Sequence, residues 1–237
     1  MLDRGLTIFR VRGIPVKLHL SLLIFLPLVA LMATRQLGYV ASTLGIARSA
    51  FTLPPIVWGA ILAVGLFVAV LAHELCHCLV AIRYGARVRA ILLMMLGGIS
   101  FIEDDLPPRR EAWMAFAGPL ASFGIAVVSY VVFLFLPLPA ELAAAVLAFA
   151  MTNAVIGAFN LLPAFPLDGG RVLRGLLAGP LGIERATSIA ARVGKILAVA
   201  LAIYAALTLN LILLLIAWFV YAGAGAEQDR RSIHREA

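Results

Sequence analysis

Charge is scarce in this sequence. Only 13% of its 237 residues are Asp, Glu, Lys or Arg, against about 25% in an average soluble domain. The chain is 63% hydrophobic, with a mean hydropathy of +1.05. A soluble core of this length could not hide so much apolar surface, which excludes the soluble globular class. Cysteine is almost absent. Cys76 and Cys78 stand two residues apart in one expected helix and point in different directions, so no disulfide framework is built on them. They read as small core residues, and Cys76, three residues after His73, is also weighed as a metal ligand. Internal repeats and low-complexity segments are lacking. The net charge of +7 has no basic stripe behind it; the arginines fall between apolar runs and at the two ends. That distribution argues against a nucleic-acid partner and fits loops on the cytoplasmic side of a membrane. The basic start MLDRGLTIFRVRGIPVKLHL is followed by an apolar stretch without a small-residue cleavage site, so no signal peptide is expected.

What is present is a series of apolar runs near the ~20 residues that cross a bilayer. They predict an all-α integral membrane protein with six transmembrane helices, at about 18–34, 56–82, 111–136, 141–162, 189–207 and 211–224. A short β or re-entrant segment is expected after the second span, over 88–101, where Gly97-Gly98 interrupts an apolar stretch. The last apolar stretch is too long for one crossing and is split near Thr208–Asn210. Residues 1–237 are expected to form a single domain in the cell membrane. With six spans the basic clusters all fall on one side, which places both termini and the opening of the site in the cytoplasm.

One apolar run carries polar groups. LAHELCHCLV (71–80) holds His73 and His77, two of only four histidines, with Glu74 beside the first. Ionisable groups inside a span are costly and usually mark function. Residues four apart share a helix face, so both imidazoles can aim at one point. HELCH fits H-E-x-x-H, in which two histidines hold zinc and the glutamate takes a proton from water. The bland alternative is a set of polar groups bonding across a helix interface.

Two histidines leave a catalytic zinc one protein ligand short. Glu103, Asp104 and Asp105 form a polar turn, Glu111 and Glu184 suit helix starts, and Glu141 is expected on the opposite side. Asp168 stands alone in an apolar setting, just after a broken helix and before Gly169-Gly170. It is the chosen third ligand; a tight-turn aspartate without metal is the alternative.

HELCH (73–77), GGIS (97–100), AGPL (117–120) and NLLPAFPLDGGR (160–171), in that order, resemble the site-2 proteases. These are intramembrane zinc metalloproteases, and the chain is most similar to their compact six-span archaeal and bacterial type. The resemblance covers nearly the whole chain. It implies one Zn2+ per chain on His73, His77 and Asp168, with Glu74 as general base and Asn160 positioning substrate or stabilising the oxyanion. It implies that a strand at Gly97, Gly98, Ile99 and Ser100 pairs with an unwound substrate segment. The implied activity is hydrolysis of peptide bonds within or near transmembrane segments of membrane-anchored proteins, as in regulated intramembrane proteolysis. Cys76 departs from the very small residue usual at its position. Many compact relatives continue into a nucleotide-binding CBS pair, so a short member or a piece of a longer chain is expected. A catalytically inactive membrane-protein-binding relative and a metal transporter are the competing readings. The transporter leaves Glu74 unexplained, and the intact HELCH and LDGG argue against the inactive relative. The sequence carries no signal for an oligomeric state, although GPLASFG (118–124) has small residues suited to helix packing.

Overall fold

In a computed structural model, which describes residues 5–95 and 97–236, the chain is mostly helical with one small sheet. Strands β1 (Leu6–Val11) and β2 (Ile14–Leu18) lead into helices α1 (Leu20–Thr43) and α2 (Pro55–Arg83). Strands β3 (Val88–Met94) and β4 (Gly97–Ile102) follow. The rest is helical: α3 (Pro108–Phe135), α4 (Ala140–Asn160), α5 (Asp168–Leu181), α6 (Ile183–Leu207) and α7 (Leu211–Glu236). Among the described residues five helices, α1 to α4 and α6, are long and apolar enough to cross a membrane, and Leu211–Ala226 of α7 is a shorter apolar stretch. The buried apolar residues are mostly alanine, whereas large side chains such as Ile24, Val68, Val155 and Leu207 are exposed. Small residues inside and bulk outside is the pattern of helices packed in hydrocarbon, and the chain is an integral membrane protein.

The chain forms two compact units. The first holds residues up to Asp104 together with Leu120–Gly157, and the second holds Asp105–Pro119 together with the residues from Ala158 onward. In the first unit the four strands lie in the order β1-β2-β3-β4, with β2 and β3 parallel and the other neighbours antiparallel. Arg12 (φ 49°) and Gly13 (φ 85°) make the tight turn between β1 and β2. Two consecutive left-handed residues match the twist of a hairpin. Ile14, Val16, Ile91 and Leu93 of the sheet form a core with Leu22 of α1 and with Leu71, Leu75 and Cys78 of α2. At Gly59 the two helices meet so closely that a Cβ would strike the Ala30 carbonyl and the Thr34 hydroxyl. Leu37, Val40 and Ala41 of α1 pack on Ala144, Ala145 and Ala148 of α4.

In the second unit, α5 packs on α6 and α6 on α7, around Phe165, Ala190, Ala191 and Ala224. At Gly175 a Cβ would collide with the Pro108 carbonyl and the Ala112 methyl, so α5 lies directly on the start of α3. Arg174, 2% exposed, donates to Glu111 and lies 5.0 Å from the centre of the Phe165 ring. Arg171 is 3.7 Å from the same carboxylate. Glu111 does stand in the first turn of α3, but its main partners are these two arginines.

The architecture departs from the sequence-based expectation in four places. The N-terminal arm is a β-hairpin, and the β segment after the second span belongs to a four-stranded sheet, so the fold is not all-α with one short β insertion. LTIFRV and IPVKL are short, and their apolar alternation is diluted by arginine and proline. The first helix runs to Thr43 rather than ending near residue 34. Gln36, beyond that expected end, donates to Ala148 O and to Thr152 Oγ1, so its polarity is satisfied inside the bundle. The stretch between the expected fourth and fifth spans, for which the sequence predicts no helix, contains helix α5, which starts at Asp168. Asp104 is not merely solvated: Arg87 donates to it from its backbone and its guanidinium. These bonds, the side-chain one first, hold the Asp104 carboxyl below the usual carboxylate range.

Arg174→Met would leave the buried Glu111 carboxylate without its main partner and is expected to cost about 3–5 kcal/mol of stability. Glu111→Leu combined with Arg174→Met should recover most of that loss. Thermal unfolding in detergent measures both.

Candidate metal centre

Helix α2 brings the polar motif together because its buried face recurs at helical spacing through Ala69, His73, His77 and Ala81. His73, Glu74 and His77 are all buried. One donor atom from each lies within 4.8 Å of the others. The imidazole rings stand edge to face, with centroids 4.8 Å apart. Buried imidazoles converging with a carboxylate are a donor set that suits zinc, so the residues present fit the metal that the motif implies.

Two hydroxyls hold this cluster. Ser122 of α3 lies 2.9 Å from His73 Nδ1 and is itself 1% exposed. A histidine bonded at Nδ1 is fixed in orientation and tautomer, with Nε2 turned toward a ligand position. Ser100 of β4 donates to Glu74 Oε2 at 2.7 Å and accepts from the Cys78 thiol at 3.2 Å. Gly98, two residues before Ser100 on the same strand face, lies so near Glu74 that a Cβ would collide with its Cγ. Ile99, between them, points away and is 38% exposed. Gly97 has φ +131°, a conformation that side chains rarely adopt. The expected substrate strand is thus the last strand of the sheet, with one edge paired to β3 and one face against the general-base candidate.

Asn160 and Asp168 lie in the second unit. Asn160 is the last residue of α4, and Asp168 is the first of α5, where its charge suits the helix N-terminus. The linker 161–167 is wound tightly: Leu161 N–H bonds Ala158 O, Leu162 N–H bonds Phe159 O, and Leu167 N–H bonds Ala164 O. A Cβ at Gly169 would strike the Leu161 and Leu162 carbonyls, and one at Gly170 would strike Ala164 and Phe165 backbone. The two glycines after Asp168 therefore serve close backbone packing. Cys76 is half-buried and is not part of the His73–Glu74–His77 group.

Ser122 is a site residue that the sequence does not announce. Its only signal is a hydroxyl in the small-residue run GPLASFG, which reads as helix packing. Ser100 is legible as part of a strand, whereas its bond to Glu74 is not. Gly98→Ala is expected to destabilise the protein by about 1–3 kcal/mol through overpacking against Glu74. Gly124→Ala, in the interior of α3 with nothing near its Cβ position, should be neutral or stabilising. Paired thermal melts separate the two.

The family model of peptidase family M50 matches residues 61–138 and 138–201. A zinc metalloprotease of Methanocaldococcus jannaschii is 36% identical over 235 residues, covering 99% of this chain and 63% of its own length. Stage IV sporulation protein FB of Bacillus subtilis is 29% identical over 127 residues, 51% of this chain and 42% of that protein. The chain thus spans less than two thirds of either relative. A solved structure, a site-2 protease from Methanocaldococcus jannaschii, superposes with a TM-score of 0.67 at 34% identity, over 94% of this chain and 95% of that one. With its HELCH helix, the β3–β4 hairpin and its LDGG helix in the matched region, the chain belongs to peptidase family M50, the family of the site-2 proteases.

Proposed function

We propose that this chain is an intramembrane zinc metalloprotease that hydrolyses peptide bonds within or near transmembrane segments of membrane-anchored proteins. The observation that carries the reading is a buried His73–Glu74–His77 cluster in a membrane helix, set against the last strand of a sheet. His73, His77 and Asp168 would hold one zinc ion. Zinc supplies Lewis acidity at such a site, acidifying water and polarising a carbonyl oxygen.

The chain's own residues do the rest. Glu74 takes the proton of the attacking water and returns it to the leaving amine. The Ser100 hydroxyl holds the Glu74 carboxylate in one rotamer, and Ser122 holds the His73 ring. Asn160 offers an amide donor for the oxyanion. The strand Gly97, Gly98, Ile99 and Ser100 receives an extended substrate segment by main-chain hydrogen bonding, which asks little of substrate sequence. Strand pairing also suits proteolysis, because a helical substrate hides its peptide bonds until it is unwound. We place the protein in the cell membrane with the site opening to the cytoplasm, acting in regulated intramembrane proteolysis.

Zinc content and cleavage of a transmembrane substrate test the reading together. Wild type should carry about one zinc per chain, and Asp168→Ala much less. Glu74→Gln should keep its zinc and lose roughly 10²–10⁴-fold in cleavage rate. Ser122→Ala should bind zinc roughly 10–100-fold more weakly in chelator competition. A zinc-free, folded wild type, or a Glu74→Gln protein with wild-type cleavage, would overturn the assignment.

A further inference from the structure

Strand β1 is one of the two edge strands of the sheet. Every residue from Leu6 to Arg10 is exposed, and Leu6, Ile8 and Phe9 are 76%, 49% and 44% exposed. An apolar strand with this much uncovered surface is an interaction site. Among the described residues its outer edge pairs with no other strand.

Its position limits what can cover it. Leu18 ends β2, His19 caps the next helix by accepting from Ser21 N–H, and α1 begins at Leu20. His19 N–H also bonds Leu93 O, which ties this junction to β3. The hairpin is therefore held at the mouth of a membrane-length helix whose first residues, Leu20, Leu23 and Ile24, are exposed. The register orients it. Leu6 pairs with Leu18, beside the start of α1, whereas Arg10 pairs with Pro15 next to the turn at Arg12-Gly13. Leu6 and Ile8 thus lie toward the root, next to the span and beside Lys17 opposite Thr7, Phe9 lies midway opposite Val16, and Arg10 and Arg12 lie toward the tip. That gradient matches a bilayer interface, where acyl chains give way to headgroups over a few ångströms.

We infer that the β1–β2 hairpin is an interfacial lipid-binding element: Leu6, Ile8 and Phe9 insert at the acyl boundary, and Arg10 and Arg12 engage anionic lipid headgroups. Charge complementarity favours anionic lipid over a second protein chain, because a copy of this hairpin would bring the same arginines against it. Lipid binding here is independent of the proteolytic reading.

The test uses the full chain carrying Phe9→Trp in nanodiscs of phosphatidylcholine and phosphatidylglycerol, with the wild type and its three native tryptophans as the blank. The acyl bromine is placed on one lipid or the other. The added tryptophan should emit at short wavelength, resist iodide and be quenched more strongly by brominated phosphatidylglycerol. Arg10→Gln and Arg12→Gln should each weaken that preference by roughly five-fold. Solvent-like emission quenched by iodide would overturn the proposal. So would a signal that ignores bromolipid and becomes shielded as protein concentration rises, which would assign the strand edge to a second copy. Equal quenching by the two lipids, unchanged by the arginine variants, would remove the anionic-headgroup assignment.

Discussion

The polar groups that hold this bundle together find their partners inside the chain, because hydrocarbon offers none. His73 meets Ser122, Glu74 meets Ser100, Glu111 meets Arg174 and Arg171, and Gln36 meets Thr152 and a backbone carbonyl. These pairs join elements far apart in the sequence, so each one also fixes how two elements pack. Chemistry and architecture are in this sense one set of hydrogen bonds. The hydroxyl that orients a candidate metal ligand is at the same time a polar contact between α2 and α3.

The second requirement is closeness. Gly59, Gly98, Gly169, Gly170 and Gly175 all lie where a Cβ would strike neighbouring atoms. Alanine fills most of the remaining interior. In lipid the hydrophobic effect does not hold helices together, and dispersion between closely approached backbones takes its place. The same thinness lets β4 lie against Glu74. A bulkier residue at Gly98 would occupy the room the carboxylate now uses.

What is local in this fold is legible in the sequence. His73, Glu74 and His77 announce themselves by spacing within one turn, and the split between α6 and α7 falls at Thr208–Asn210 as the length of the run requires. The hairpin β3–β4 is legible from Gly97-Gly98 and its flanking apolar residues. Ser122 is not, because its partner is 49 positions away, and neither is the Glu111–Arg174 pair, separated by 63. Helix α5 is hidden for a different reason: its first turn contains two glycines, which lower helix propensity, and tertiary packing overrides that preference. The long reach of α1 is concealed by Gln36, whose partners lie on α4.

The parallel pairing of β2 with β3 has a consequence for biosynthesis. Val16 pairs with Ile91 and Leu18 with Leu93, and between these strands the chain runs through α1 and α2, two membrane-length helices. The first strand pair emerges from the ribosome long before its neighbour and must wait while the chain goes out through the bilayer and returns. Only then can β3 dock, β4 fold back on it, and the Ser100 hydroxyl reach Glu74. The sheet is therefore complete only after both helices have been made, and it ties the first residues of the chain to the hairpin whose Ser100 orients the general-base candidate.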